Sequence, residues 1–193
     1  AEAPELHRLE LKILSAYGVS LIAIRPQASE DIKLIYEQAR RLCQKLAPTA
    51  DTVPILFGLA VQSFFRGELS KTQQFCEELV SLHDALDLSP VERSGAQLMQ
   101  TQTKFWRGQH DQVLQTMAGL APHDPRQLRW TNEDQKKQIA RFAQVPSVTA
   151  RITYVWSLNL TGRFSQASEQ LAAVRAHAEQ LGHPYSVAQT CQI

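Results

Sequence analysis

Apolar residues recur every three or four positions along most of this chain, in segments that end at proline or glycine. This spacing places the apolar side chains on one face of an α-helix. Pro26 and Pro48 end the first two predicted helices, because the residue before proline avoids the α region. Ser29 and Ser89 stand just before predicted helices, where a serine side chain can cap the first backbone N–H groups. The first helix carries the apolar residues Leu6, Leu9, Ile13, Leu14, Tyr17, Leu21 and Ile24.

Three of the predicted helical hairpins turn at a glycine, at Gly67, Gly108 and Gly162. Each glycine lies between an apolar helical segment and a second, amphipathic one. The same residue type at the same place in successive helix pairs indicates a stacked α-helical repeat. We therefore predict an all-α fold, an array of antiparallel helix pairs that forms a single domain over residues 1–193; the right-handed superhelical form of the array is what the repeat resemblance given below implies. The predicted pairs span about residues 4–47, 52–87, 89–122 and 147–182.

The segment from about residue 122 to residue 146 interrupts this pattern and is rich in polar residues. Thr131 followed by Asp134 resembles a helix start, so we predict a loop, a short helix and a second loop at residues 144–146. Basic side chains in this insert can attract an acidic partner, but the neighbouring Glu133 and Asp134 dilute the charge and favour a solvated loop. The basic residues are Arg126, Arg129, Lys136 and Lys137.

The charge balance argues against a nucleic-acid partner. The chain has 20 basic and 19 acidic residues, whereas nucleic-acid binders carry a basic stripe. No apolar run approaches the roughly 20 residues needed to cross a bilayer, so we expect no membrane insertion. Cys43, Cys76 and Cys191 are far apart and form no CxxC pair. Unpaired cysteines indicate a reducing compartment, and we expect a cytoplasmic protein.

Motifs of catalysis and cofactor binding are absent from the sequence. It has no GxxxxGK[ST] phosphate loop, no HExxH zinc motif and no GxSxG elbow. The six histidines lack the i, i+4 spacing that places two metal ligands on one helix face. We therefore expect no catalytic residue, no cofactor and no metal, and we predict that this segment is not an enzyme.

The helix pairs resemble the tetratricopeptide repeat (TPR), in which small and large residues occupy fixed helical positions. The matching residues are Gly108, Leu120 and Pro125 in the third pair and Tyr154, Gly162, Ala167 and Leu171 in the fourth. Thr72 and Val113 stand where the second helix of a TPR usually has alanine. The corner glycines are also spaced unevenly and more widely than the TPR period of about 34 residues. The repeats are therefore degenerate.

Five short segments carry a narrower resemblance, at residues 4–11, 39–46, 53–59, 64–69 and 178–186. They are similar, in this order, to the TPR-like C-terminal region of large bacterial signalling proteins. In that group a STAND-type ATPase module precedes the repeats, and an adenylate/guanylate cyclase domain often stands further upstream. The resemblance implies a non-catalytic sensor or scaffold region, and a chain that is a fragment of a longer protein.

The first helix of each pair lines the concave groove in TPR arrays, and that groove is the usual binding site. A stripe of aromatic and apolar residues there can hold an amphipathic helix or an extended peptide. The competing interpretation, favoured for Phe57, Phe105 and Trp156, is that the rings pack between helices. Gln102 and Asn159 are the better candidates for exposed groove positions. The full set of candidate groove residues is Phe57, Val61, Phe64, Gln102, Phe105, Trp156 and Asn159.

Three functions remain open from the sequence. The first is a protein-interaction and regulatory repeat domain of a bacterial signalling protein, whose partner is a protein or peptide or another domain of the same chain. The second is a freestanding TPR-like adaptor that scaffolds a complex. The third is a helical sensor that binds a small apolar effector between the repeats of Trp106 and Trp156.

Overall fold

The computed structural model describes residues 2–120 and 132–192, and within those ranges it has ten α-helices. They are α1 (Glu2–Ile24), α2 (Glu30–Cys43), α3 (Thr52–Phe65), α4 (Leu69–Leu86), α5 (Pro90–Trp106), α6 (His110–Leu120), α7 (Asn132–Phe142), α8 (Pro146–Leu160), α9 (Phe164–Leu181) and α10 (Pro184–Thr190). The predicted all-α class is confirmed. The predicted loop before α7, with Arg126, Arg129 and Thr131, lies outside the described residues.

Glycine forms the corner after α3, α5 and α8, as the sequence predicts. Gly67, Gly108 and Gly162 have φ angles of +75°, +73° and +77°, in the left-handed region where a Cβ atom causes strain. At the first corner the N–H of Glu68 donates to the carbonyl of Ser63 at 2.9 Å, which closes the end of α3. The three corners are therefore alike in backbone, and residues just before each glycine occupy equivalent places.

Serine caps only one of the two helices for which the sequence predicts it. At α5 the hydroxyl of Ser89 accepts a hydrogen bond from the N–H of Glu92 at 3.4 Å, and the Glu92 carboxylate accepts one from the N–H of Ser89 at 3.0 Å. This reciprocal pair is a capping box. Ser29 stands at the N-cap position of α2 with extended backbone, but its side chain makes no capping hydrogen bond.

Consecutive helices pack in pairs, which confirms the predicted pairing: α1 with α2, α3 with α4, α5 with α6, and α8 with α9. Contacts of α2 with α3 and of α4 with α5 join the first three pairs, and both α5 and α6 contact α8. The insert helix α7 packs differently. It lies against α1, α3 and α5, which are the first helices of three separate pairs.

Tyr36 of α2 fills the space between α1 and α3. Its ring is buried, and a Cβ atom added to Gly58 would lie 2.2 Å from the ring, while one added to Gly18 would lie 2.7 Å from it. The two glycines thus let α1 and α3 approach the ring closely. Burial also raises the pKa of the Tyr36 hydroxyl, so the group stays protonated.

The apolar residues of α1 form two adjacent faces, and only one of them is buried. Leu11, Leu14 and Leu21 belong to the main core. The other apolar residues of the predicted face are exposed, namely Leu6, Leu9, Ile13, Tyr17 and Ile24. The helical period of the sequence does not separate the two sets, because they occupy neighbouring arcs of the same helix.

Helix α7 is anchored by its last residue, Phe142. This ring is buried and lies 4.7 Å, centroid to centroid, from the ring of Phe57 on α3. Gly95 of α5 makes room for it, since a Cβ atom there would lie 2.9 Å from the Phe142 ring. One turn earlier, Ile139 packs against a second, smaller core cluster. This smaller cluster consists of Val145, Val148, Ile152, Val174 and Ala178. Helix α7 therefore bridges two parts of the core.

Two features at the end of α7 are unfavourable. Gln138 is 0% exposed, yet within the described part of the chain neither its Oε1 nor its Nε2 has a hydrogen-bond partner. A buried polar group left unpaired costs about 1–3 kcal/mol. Ala143, directly after α7, has a φ of 57°, and a non-glycine residue in this region costs on the order of 1–3 kcal/mol. Helix α7 is thus held less firmly than its burial suggests.

We expect Gly58→Ala to lower the free energy of unfolding by about 1–3 kcal/mol, because the added methyl group overlaps the ring of Tyr36. Urea unfolding followed by circular dichroism measures the change. The double variant Gly58→Ala with Tyr36→Leu should lose less than the sum of the two single losses, since the overlap is gone. Strict additivity would contradict this account.

Candidate partner-binding surfaces

The structure does not bring all seven predicted groove residues to one surface. Phe57 and Val61 are 1% and 3% exposed and lie inside the core. Neither side chain is accessible in this structure, because α3 is buried on every side from Val53 to Ser63. The sequence carried the signal for this: α3 contains no charged residue, and a helix that is apolar all round is buried.

The other five candidates are partly accessible. Phe64 and Phe105 are half-buried against the main core, and Trp156 is half-buried against the smaller cluster. Gln102 and Asn159 are intermediate in exposure. The competing interpretation is that these rings pack between helices. Phe57 does so completely, and Phe105 and Trp156 do so in part.

Five rings form a continuous row across the ends of α3 and α5 and onto α8. Successive ring centroids are separated by 5.4 Å, 6.3 Å, 5.6 Å and 5.6 Å. These separations are typical of edge-to-face and tilted aromatic contacts, which add stability beyond burial alone. We call this set the aromatic row; in order, it consists of Phe65, Phe64, Trp106, Phe105 and Trp156.

Three exposed apolar side chains, two of them members of the row, share one position relative to the corners. Phe65, Trp106 and Leu160 each stand two residues before a corner glycine. They are 52%, 60% and 64% exposed. We call these three the corner residues. Phe65 and Trp106 lie 5.4 Å and 6.3 Å, centroid to centroid, from the ring of Phe64, and contiguous apolar side chains that are exposed in this way mark protein-interaction sites. The sequence held this signal, since the position is apolar at all three corners.

Charged side chains border the corner residues. Arg66 donates a hydrogen bond to the carboxylate of Glu68 at 2.9 Å, and this bond lowers the pKa of Glu68. Arg107 donates a hydrogen bond to the side chain of Gln73. An apolar centre with a charged rim is the usual layout of a protein interface.

A second candidate surface lies beneath α7, where Arg141 joins two helix starts. Its guanidinium donates to Glu92 at 2.7 Å, to Asp51 at 3.4 Å and to the carbonyl of Ala50 at 3.2 Å. Asp51 occupies the N-cap position of α3, and Glu92 lies in the first turn of α5. A cation is disfavoured at helix N-termini by the helix dipole, so the two carboxylates are what hold Arg141 there.

The carboxylate of Glu92 accepts hydrogen bonds on both oxygens. One oxygen accepts from the guanidinium of Arg141, and the other accepts from the N–H of Ser89 in the capping box. Burial raises the pKa of this carboxyl, but the hydrogen bonds from Ser89 and Arg141 outweigh that effect and lower the pKa below its ordinary value. The start of α5 and the end of α7 are thus tied to one ionised group. A cleft of about 560 Å³ opens beside it, lined by residues of both helices that include Val91, Lys137 and Ala140.

Reactive centres are not evident in the described ranges. Residues 2–120 and 132–192 hold no group of three or more His, Cys, Asp or Glu side chains placed to bind a metal ion. Burial raises the pKa of the Cys76 thiol to about 12, which makes it a poor nucleophile at neutral pH. In the same ranges no helix is long and apolar enough to cross a membrane.

Comparisons with protein-family models, with curated proteins and with solved structures found no match. The resemblance to the TPR-like regions of bacterial signalling proteins therefore stays a prediction. The function of the chain is inferred from its two surfaces.

We expect Glu92→Gln to lower the free energy of unfolding at pH 7 by roughly 1–3 kcal/mol, the size of a hydrogen bond to a charged group. Because the folded pKa of Glu92 lies below its ordinary value of 4.5, its contribution is present above pH 4.5 and is lost as the pH falls further. The difference in the free energy of unfolding between variant and wild type should therefore shrink as the pH falls below 4.5. Urea unfolding of both proteins at several pH values measures this difference in the free energy of unfolding.

The matched control for this prediction is Glu169→Gln, which removes one exposed carboxylate from α9. It should change the free energy of unfolding by less than about 0.5 kcal/mol at pH 7. A loss for Glu92→Gln that stays constant down to pH 3 would mean that the ionised form of Glu92 makes no special contribution.

Proposed function

We propose that this chain is a non-catalytic protein-interaction and regulatory repeat domain that binds a protein or peptide through the aromatic row. The observation that carries the proposal is the exposure of two members of the row, Phe65 and Trp106, at equivalent corner positions; Leu160 at the third corner is exposed in the same way. We assign it the degenerate, right-handed TPR-like superhelix and the place in a cytoplasmic bacterial signalling protein that the sequence resemblance implies.

The energetics of burial support the aromatic row as the binding surface. Burying a large apolar side chain contributes about 1.5–3 kcal/mol relative to leaving it exposed. Phe65 and Trp106 are more than half exposed, so a partner that covers both gains much of this contribution. Their inner neighbours, Phe64 and Phe105, are packed against the core and hold the exposed rings in place. Aromatic anchors fixed in this way are the usual centres of binding energy.

The geometry favours a protein partner over a small apolar effector. Phe105 lies 5.6 Å from both Trp106 and Trp156, centroid to centroid. Its ring therefore occupies the space between the two tryptophans that an effector would need. The freestanding adaptor uses the same surface as the regulatory domain, and it differs only in what the chain is attached to.

We expect the double variant Phe65→Ser with Trp106→Ser to lose at least tenfold in partner binding while keeping its unfolding temperature within a few degrees, since both side chains are exposed. Immobilised chain captures partners from a lysate of the organism that encodes it, and quantitative mass spectrometry compares the variants.

The matched control is Leu34→Ser, which removes an exposed apolar side chain from α2, away from the corners. A partner specific to the aromatic row is retained by the wild type and by the control, and is lost from the double variant. Equal capture by all three proteins would refute the row as the binding surface.

A further inference from the structure

Helix α7 covers the face that the first helices of the pairs share. It packs against α1, α3 and α5, and its Phe142 contacts Phe57, a residue predicted to line a binding groove. The surface that a repeat array of this kind would offer to a ligand is therefore occupied, in this structure, by a helix of the same chain. We call the surface under α7, formed by α1, α3 and α5, the α7-binding face.

Recognition of α7 rests on two adjacent side chains. Phe142 enters a slot that exists because Gly95 has no side chain, where a Cβ atom would lie 2.9 Å from its ring. Arg141 bonds to Glu92 and Asp51 at the starts of α5 and α3. An aromatic ring and a cation in consecutive positions at the end of a helix thus match a glycine slot and a pair of carboxylates on the face.

Two features of α7 oppose firm docking. Gln138 is fully buried, and no partner for either of its side-chain polar atoms is found among the described residues. Ala143 holds a left-handed backbone conformation immediately after the helix. An unpaired buried amide and a strained residue at the helix end both lower the free energy of local opening, and segments of low local stability open without global unfolding.

We propose that α7 is an intramolecular ligand, and that its release lets the α7-binding face bind a partner helix with an arginine followed by an aromatic residue near its C-terminal end. A partner with an apolar residue in the place of Gln138 binds more tightly than α7 itself, because no amide is left unpaired. This proposal concerns a surface separate from the aromatic row and does not rest on it.

A partner helix must compete with α7 for the α7-binding face. A tethered segment acts at an effective concentration in the millimolar range, so α7 excludes weak free helices. The face opens only to a helix that fits better than α7 or when α7 is weakened. Release of α7 is therefore a regulatory step that the chain itself encodes.

The test uses the full chain and a fluorescein-labelled peptide of residues 132–143, measured by fluorescence anisotropy. The chain variant Arg141→Glu with Phe142→Ser cannot dock its own α7. We expect it to bind the peptide at least tenfold more tightly than the wild-type chain does. A peptide with Gln138→Leu should bind this variant at least threefold more tightly again.

The matched control chain is Lys136→Glu with Ala140→Ser, which makes the same kinds of change at two exposed positions of α7. It should bind the peptide no better than wild type. Peptide binding to the double variant that is equal to or weaker than binding to wild type, with helical content retained, would overturn the proposal. Equal gains in the variant and the control would overturn it too.

Hydrogen exchange on the wild-type chain keeps the proposal testable if the variant fails to fold. Amides of α7 should exchange at least a hundredfold faster than the buried amides of α3 and α5. Equal protection of the three helices would contradict release of α7. The variant Phe65→Ser with Trp106→Ser should bind the peptide as the wild-type chain does, so failure of the aromatic row leaves this result unaffected.

Discussion

The burial of α3 on every side from Val53 to Ser63 determines how the rest of this molecule is arranged. Every residue from Val53 to Ser63 is buried, and α3 packs against α1, α2, α4, α5 and α7. Exposing any side of such a helix forfeits apolar burial at about 25 cal/mol for each Å², so all sides must be enclosed. The pairs on either side of α3 enclose most of it, and α7 completes the enclosure where Phe142 meets Phe57. The face of α3 beside Phe57 thus needs a covering helix, and in this structure α7 supplies it.

The aromatic row follows from the way α3 and α5 end. Adjacent residues on a helix point about 100° apart, so one of two consecutive rings faces the array while the next faces away. Phe64 and Phe105 face the core, and Phe65 and Trp106 are exposed. A glycine in the left-handed conformation stands two residues after Phe65 and two residues after Trp106, so α3 and α5 end at equivalent positions. Repetition of this ending at successive corners brings the rings into contact with one another.

Most apolar side chains of a protein are buried and most polar ones are exposed or paired, and the two candidate surfaces break this rule in opposite ways. At the corners, large apolar side chains are left exposed, whereas under α7 the amide of Gln138 is buried and, in the described ranges, unpaired. Departures of this kind are expected at functional sites, because most of a sequence is consistent with its fold at every level. The arrangement of Arg141 between Glu92 and Asp51 shows how a polar helix is nevertheless kept on the face.

The local pattern of the sequence determined the helices, the pairing of consecutive helices and several helix ends, because the helical period, the serine cap of α5 and the corner glycines act over a few residues. It also contained the apolar position before each corner glycine. Only the tertiary structure decided which apolar faces are buried. Leu6 and Leu14 of α1 look equivalent in the sequence, yet one is exposed and the other lies in the core. The place of α7 was decided in the same way, since Arg141 meets Asp51 and Glu92 across 90 and 49 residues of sequence. Contacts between residues so far apart in the sequence depend on how the helix pairs stack, and the helical period of the sequence does not specify that stacking.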